Sequence, residues 1–366
     1  MIKFLDLHAQ YQSIKSEIDD AIAEVIAESA FIGGEYVSQF EADFGKWTGA
    51  SHVIGVGNGT DALEIAIEAL DLPPGCEIIV PANSFIASSE AVSRTGCRVV
   101  FADADPECYT IAPDSVRSKL TDKTAAIMAV HLYGHPCDMA ELQQIADENN
   151  LRIIEDCAQA HGAAYRGRQV GTMGDVGTFS FYPGKNLGAY GDAGALTTQN
   201  ADLAKRLRMI ANHGRVAKYN HEFEGRNSRL DGLQAAILSV KLKHLDTWTE
   251  QRIALADRYV DRLSTLSDLV APVRMNWARQ VYHLFVVRTE RRDELADFLK
   301  LRNIQTAVHY PIALPRLAAY AAHPQAEEDF FAVGAAAQLL SLPIGEHLGM
   351  DDIDQVCAAI EEFFQQ

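Results

Sequence analysis

Seven short apolar runs, most of them rich in β-branched residues, recur at 53–56, 77–80, 98–102, 125–130, 152–156, 176–181 and 194–198. Helical patterns separate many of them, most clearly at 83–95 and 138–150. A strand that is apolar along its whole length must be covered on both faces, and alternation of strand with helix supplies that cover. The rhythm therefore predicts an α/β domain with a mostly parallel sheet. In open sheets of this kind ligands collect beyond the carboxyl ends of the strands. Polar residues in those places are the candidates for chemistry.

Four such places carry them. After the first strand, G-V-G-N-G-T-D-A-L-E turns on Gly55, Gly57 and Gly59, and helical periodicity runs from 61 to 70. Gly59 and Thr60 thus fall at a helix N-terminus, whose unpaired N–H groups and positive dipole end suit a phosphate. A plain glycine turn capped by Thr60 reads the same residues without a ligand. P-A-N-S-F-I-A-S follows the second run and sets Phe85 beside the pocket, either to stack on a planar ring or as core. In I-I-E-D-C-A-Q-A-H-G-A, Asp156 ends an apolar strand, where a carboxylate must be paired to offset its desolvation. A protonated pyridine nitrogen is a good partner. Gln159 and His161 follow on the turn, as polar caps or as site residues. The fourth place is T-F-S-F-Y-P-G-K-N-L-G-A-Y-G at 178–191, where Tyr182-Pro183-Gly184 turns the backbone just before a lone Lys185. Glycines at 184, 188 and 191 leave that lysine displayed. It is either a solvated loop lysine or an amine that condenses with the carbonyl of a substrate or of pyridoxal phosphate. Ser180 is available for a phosphate oxygen and Tyr182 lies close to the lysine.

Before the sheet, apolar residues at 11, 14, 18, 22, 25 and 26 lie on one helix face over 10–28, and Phe31-Ile32-Gly33-Gly34 ends it ahead of a second helical segment at 35–48. After the sheet, 203–212 is helical and leads to a polar stretch with Arg215, Lys218, His221, Arg226 and Arg229. In a chain of net charge −18 a local basic loop is informative, as a seat for a diphosphate or as a solvated loop. A long helical run from 232 to 263 crosses into a second unit, with strands expected at 281–288 and 304–308 and helices at 291–301 and 351–364. The proline-punctuated loop 309–320 carries His309 and Tyr310. The expected division is 1–245 and 246–366.

The acidic balance argues against a nucleic-acid partner, which needs a basic face. Apolar runs stop short of the roughly 18 residues of a membrane helix, and the acidic residue near the start of M-I-K-F-L-D-L-H breaks a signal-peptide pattern. A cytoplasmic protein without a membrane partner is expected. The six cysteines form no C-x-x-C pair and the twelve histidines no H-E-x-x-H, so no metal is expected and the thiols read as free and buried.

Taken in order, N-G-T-D-A-L, N-S-F-I-A-S, H-L-Y-G-H-P-C-D-M, I-E-D-C-A-Q-A-H-G-A, F-S-F-Y-P-G-K-N-L-G-A-Y-G-D-A-G-A, N-S-R-L-D-x-L-Q-A-A and V-H-Y-P-I-x-L span nearly the whole chain. The set resembles the DegT/DnrJ/EryC1/StrS family of sugar aminotransferases. The resemblance implies an α/β architecture of pyridoxal-phosphate fold type I, with a mostly parallel seven-stranded sheet in a large domain and a small C-terminal α/β domain. It implies pyridoxal 5'-phosphate as cofactor, L-glutamate as amino donor and a nucleotide-linked keto sugar as acceptor. By the same resemblance Lys185 forms the Schiff base and moves the proton, and Asp156 keeps the pyridine nitrogen protonated. Gln159 lies by the ring hydroxyl, Phe85 against the ring face, and Gly59, Thr60 and Ser180 at the phosphate. Asn227 is implied to reach the phosphate in a neighbouring subunit, giving a homodimer with shared active sites. Tyr182, Lys218, His221, His309 and Tyr310 match positions facing the sugar or its diphosphate.

Within the family, N-x-R-L-D-x-L-Q-A-A and H-x-Y-P-I resemble the enzymes that aminate carbon 3 of a dTDP-3-keto-6-deoxyhexose, in amino-sugar biosynthesis for cell-surface polysaccharide or glycosylated natural products. The alternatives are a carbon 4 enzyme, a UDP-2-acetamido-3-keto uronic acid aminotransferase and a non-enzymatic regulator. Ala313, Leu314 and Pro315 stand where the family's P-L-H is usual, a departure that bears on which sugar is taken. Related sugar 3-dehydratases carry histidine in place of the Schiff-base lysine, so Lys185 speaks against that reaction.

Overall fold

The computed structural model describes residues 1–365. Its centre is a seven-stranded sheet in the order His52–Val56, Gly194–Thr198, Val176–Ser180, Arg152–Asp156, Thr124–Val130, Glu77–Pro81, Arg98–Ala102. Six strands run one way; Gly194–Thr198 runs against both neighbours. Side chains alternate between the faces of a strand, and here the alternation feeds two cores. Ile78, Val80, Met128 and Ile154 pack on one face with the Gly59–Ala69 helix, while Ile79, Ile127, Ala129 and Ile153 pack on the other with the Met139–Asn149 helix. Burial on both faces is why these strands read as unbroken apolar runs.

The outermost strand, Arg98–Ala102, would expose unpaired backbone groups. Gln325 closes it like a borrowed strand: its Nε2 donates to Phe101 O at 2.8 Å and its Oε1 accepts from Phe101 N at 2.8 Å.

The sheet strands fall within a residue or so of their sequence positions, as does the Glu35–Thr48 helix. The helices Met139–Asn149, Ala201–Ala211, Arg292–Leu301 and Met350–Phe364 match to within two residues. Other segments depart from expectation: the helix expected at 83–95 starts only at Ala87. The single helix at 10–28 is two, Leu7–Ser13 and Lys15–Glu28, because Ile14 leaves helical geometry while staying buried beside Ile18 and Ile237. The run 232–263 is likewise divided, into Gly232–Leu242 and Leu245–Leu263. Of 281–288 only Phe285–Arg288 is strand; Val281 instead donates from its backbone N–H to Gly134 O at 2.9 Å, and Tyr282 takes φ 45. The strand expected at 304–308 makes only isolated bridges at Ile304 and Ala307, and Leu339–Leu342 pairs with Phe285–Arg288 in its place. Leu339-Leu340-Ser341-Leu342 is short, has no β-branched residue and runs straight into Pro343, so it lacks the composition by which the sheet strands were recognised.

Phe285–Arg288, Leu339–Leu342 and the helices Leu245–Leu263, Arg292–Leu301 and Met350–Phe364 share a hydrophobic cluster of their own around Phe285, Leu295, Val356 and Ile360. Among the described residues no helix is long and apolar enough to cross a membrane.

Candidate active site

A cavity of about 540 Å³ opens at the carboxyl ends of the sheet strands. Gly59, Thr60, Phe85, Asp156, Gln159, Ser180, Tyr182, Lys185 and Tyr310 line it together, although they lie up to 251 positions apart in the sequence. A larger hollow of about 830 Å³ sits at the outer sheet edge between Cys97 and His323, away from these groups.

Lys185 is half-buried. The bend that carries it is fixed by backbone bonds from Lys185 N to Tyr182 O and from Ala189 N to Phe181 O, both 2.8 Å. Among the described residues its Nζ has no hydrogen-bond partner. Burial brings its pKa down from 10.5 to about 8, and the opposing pull of the nearby Asp156 carboxylate is the smaller effect. The displayed lysine of the sequence is thus a partly enclosed amine that gives up its proton near pH 8 rather than 10.5.

Asp156 is buried at the end of its strand. Its Oδ2 accepts from Ser88 Oγ at 2.9 Å and its Oδ1 from Ala158 N at 3.1 Å. Burial raises its pKa, and the Ala158 N–H, Ser88 and Lys185 pull it back. The neighbouring Glu155 points the other way and accepts from Gly171, Met173 and Gly174 N–H at 2.7–2.8 Å. His131 Nδ1 accepts from Cys137 N at 3.0 Å, so its Nε2, 3.0 Å from Glu155 Oε2, carries the proton. His131, Glu155 and Cys157 cluster closely enough to suggest a metal, yet their donors and acceptors are turned to one another and to the backbone. None of the three lines the cavity.

One end of the cavity is built on the Gly59–Ala69 helix. Asn58 caps it by accepting from Asp61 N at 2.8 Å, which leaves the first N–H groups of the helix, at Gly59 and Thr60, turned to the cavity. A Cβ on residue 59 would stand 2.6 Å from Ser180 Cβ, so only glycine lets the helix end and Ser180 face one guest. Ser228 braces the same turn, accepting from Gly57 N at 3.0 Å and donating to Asp61 Oδ2 at 2.6 Å.

Gln159 is held at both ends, its Oε1 accepting from Tyr133 N at 2.8 Å and its Nε2 donating to Tyr310 OH at 2.9 Å. Phe85 is 54% exposed and its ring centre lies 6.0 Å from that of Tyr310, so it is a free aromatic face at the mouth rather than core. Tyr182 is exposed beside it.

Of the residues that the resemblance places at the site, four lie outside this lining; so do His161, fully buried against Phe179 and Phe181, and Arg215, Arg226 and Arg229 of the basic stretch, Arg226 being paired with Glu64 and Glu68. Lys218 and His221 sit on an exposed hairpin formed by Arg215–Ala217 and Asn220–His221. Asn227 is exposed next to the buried Ser228. His309 is set behind Tyr310 with its Nδ1 2.8 Å from Ser341 Oγ; burial, with Lys185 nearby, brings its pKa down to about 4 and keeps it neutral. Conversely, Asn58, Ser84, Ser88 and Asp192 line the cavity without having been singled out as site residues in the sequence. Ser88 was the most readable of them, one helical turn on from Ser84 in N-S-F-I-A-S.

The residues fit pyridoxal phosphate. A free amine, a buried carboxylate, a helix end with open N–H groups and an unoccluded aromatic face match its aldehyde, pyridine nitrogen, phosphate and ring in turn. Fold and site are those of a pyridoxal-phosphate-dependent enzyme of fold type I. The chain belongs to the DegT/DnrJ/EryC1/StrS aminotransferase family, whose sequence profile matches residues 12–361. It is 45% identical over 366 residues to the dTDP-3-amino-3,4,6-trideoxy-alpha-D-glucose transaminase of Streptomyces venezuelae, covering 100% of this chain and 97% of that one. It is 42% identical over 365 residues to the dTDP-3-amino-3,6-dideoxy-alpha-D-galactopyranose transaminase of Aneurinibacillus thermoaerophilus, covering 99% of each. The crystal structure of S. venezuelae DesV in complex with a ketimine intermediate matches it with a TM-score of 0.97 at 45% identity, over 100% of this chain and 99% of that one. The protein is an aminotransferase.

Proposed function

We propose that the protein transfers the amino group of L-glutamate to carbon 3 of a dTDP-linked 3-keto-6-deoxyhexose. The observation that carries the reading is the pairing of a partner-free amine at Lys185 with the buried Asp156 carboxylate in one cavity. The similarity to two transaminases named for dTDP-3-amino sugars supports the choice of nucleotide and carbon.

Pyridoxal phosphate, when bound, supplies an electron sink for the substrate carbon that loses its proton. Gly59 and Thr60 N–H and Ser180 Oγ hold its phosphate. Asp156 keeps its pyridine nitrogen protonated, an opposite charge that also restores the carboxylate as the favoured form of the aspartate. Gln159 orients the ring hydroxyl and Phe85 covers one face. The amine of Lys185, with a pKa near neutrality, takes the proton from one carbon and returns it to the other. Tyr182 and Tyr310 face the sugar at the mouth.

Among the described residues lining the cavity, Lys185 is the one cation. A sugar carrying a diphosphate needs others. We read the exposed hairpin with Arg215, Lys218 and His221, together with Asn227, as contributed to the site of a second copy, so that a homodimer shares its active sites. In the same reading the chain divides into a cofactor-binding unit at 1–245 and a small unit at 246–366, works in the cytoplasm and serves amino-sugar biosynthesis for surface polysaccharide or glycosylated products.

The test is incubation with L-glutamate and a panel of dTDP- and UDP-keto sugars, with products read by mass and NMR. A dTDP-3-amino-3,6-dideoxyhexose is expected. Exclusive turnover of a UDP-2-acetamido-3-keto uronic acid, or amination at carbon 4, would overturn the assignment of the sugar.

A further inference from the structure

Lys241, on the Gly232–Leu242 helix, has no exposed surface. A buried ammonium is costly unless its donors are used, and here they are. Its Nζ donates to Gly188 O at 2.7 Å and to Gln10 Oε1 at 2.8 Å, and lies 4.2 Å from the centre of the Tyr190 ring. The partners are anchored in turn. Gln10 Nε2 donates to Glu346, whose other oxygen accepts from Arg252 Nη2 at 2.9 Å, and Arg252 Nη1 reaches Ile344 O at 3.1 Å and Tyr282 O at 3.3 Å. No step of the proposed reaction uses any of these groups.

What they grip is the bend that carries Lys185. Asn186 is held on one side, donating to Val281 O at 3.2 Å and lying 3.1 Å from His283 Nδ1. Two residues on, the chain doubles back so closely that a Cβ on Gly188 would meet Pro183 O at 2.3 Å. The Gly188 carbonyl turned out by that fold is the one Lys241 takes. The lysine thus ties the bend to the Leu7–Ser13 helix through Gln10 and, through Glu346 and Arg252, to residues near the C-terminal end of the chain.

We propose that Lys241 is a positioning residue for Lys185, holding the Gly188 carbonyl so that the reactive amine is presented to the cavity in one geometry. The inference rests on the reading of Lys185 as the condensing amine. Reacting groups misplaced by about 1 Å can lose on the order of a hundredfold in rate, so loosening the bend should be visible before any chemistry on the sugar.

Full-length wild type, Lys241→Met, Lys241→Arg and Gln10→Leu, each freed of cofactor, are mixed with pyridoxal phosphate well below their unfolding temperatures. The rate of condensation is followed by the yellow absorbance, and the product is trapped with borohydride and located by peptide mass. Lys241→Met should condense roughly ten- to a hundredfold more slowly and lose kcat in parallel, with KM for the keto sugar unchanged. Lys241→Arg, which can still donate to Gly188 and stack on Tyr190, should recover most of the rate, and Gln10→Leu, which spares the Gly188 bond, should slow less. A folded Lys241→Met with the wild-type condensation rate would overturn the proposal. If that variant does not fold, Lys241→Gln, whose shorter neutral side chain loosens the Gly188 bond, decides: slowed condensation at unchanged KM supports the proposal and a wild-type rate overturns it. Wild type that stays colourless, or that is trapped at another lysine, would instead sink the reading of Lys185.

Discussion

The condensation proposed for Lys185 requires that its ammonium first lose a proton, and burial sets the pH at which that happens. A pKa lowered from 10.5 to about 8 means that the amine is mostly charged below about pH 8 and mostly free above it. Uptake of pyridoxal phosphate by the cofactor-free protein should therefore speed up as pH rises, with a midpoint near 8, and level off beyond it; stopped-flow absorbance across that range checks the sign. Asp156 has the opposite tendency. Ser88 donates to its Oδ2 at 2.9 Å and favours the charged form. Ser88→Ala should move the acid limb of the kcat/KM profile to higher pH, because a carboxylate with one donor fewer is protonated more readily. Both residues stood out in the sequence, as an acid at the end of an apolar strand and a lysine after a proline-glycine turn, and the fold brings them to one cavity. Their environment was not legible there. Lys185 looked displayed among glycines, and only the packing of the bend shows it partly enclosed.

At the scale of the element, the turn from the His52–Val56 strand into the Gly59–Ala69 helix makes the clearest demand. Gly59→Ala would press a methyl to 2.6 Å from Ser180 Cβ, closing the cradle for the phosphate. It should weaken cofactor retention by at least tenfold, a change of about 1.4 kcal/mol, measured by titration of the cofactor-free protein, while the fold survives. Gln325 tests a different kind of element. Gln325→Ala would strip two hydrogen bonds from the sheet edge at Phe101 and should lower stability by about 1–2 kcal/mol in urea unfolding, with kcat unchanged. Apolar runs and helical periodicity made the sheet and most helices readable, although the cap of the Gly59–Ala69 helix is Asn58 rather than Thr60. The element errors fall where tertiary contacts outweigh local pattern: Ile14 breaks a helix yet stays in the core, and residues 281–284, with Val281, Tyr282 and Leu284 buried and His283 turned to Asn186, serve as a crossing rather than as strand.

For the whole molecule, the account requires that one copy lend groups to another. Lys218, His221 and Asn227 matched the family's pattern yet lie outside the cavity lining of their own chain, a separation that sequence alone cannot display because it carries no information on which copy a loop serves. Asn227→Ala and Lys185→Ala proteins, each impaired alone, should recover part of the activity when mixed and allowed to exchange subunits; mixtures that stay as inactive as their components would refute the shared site. Every part of the reading, from the acidic strand end to the borrowed hairpin, turns on which amine meets the cofactor. The direct measurement is peptide mass spectrometry after borohydride reduction of the protein loaded with pyridoxal phosphate, together with turnover of glutamate by Lys185→Ala. The account predicts a phosphopyridoxyl tag on the peptide containing Lys185 and no turnover in the variant. A tag on a different lysine, or normal turnover without Lys185, would contradict it.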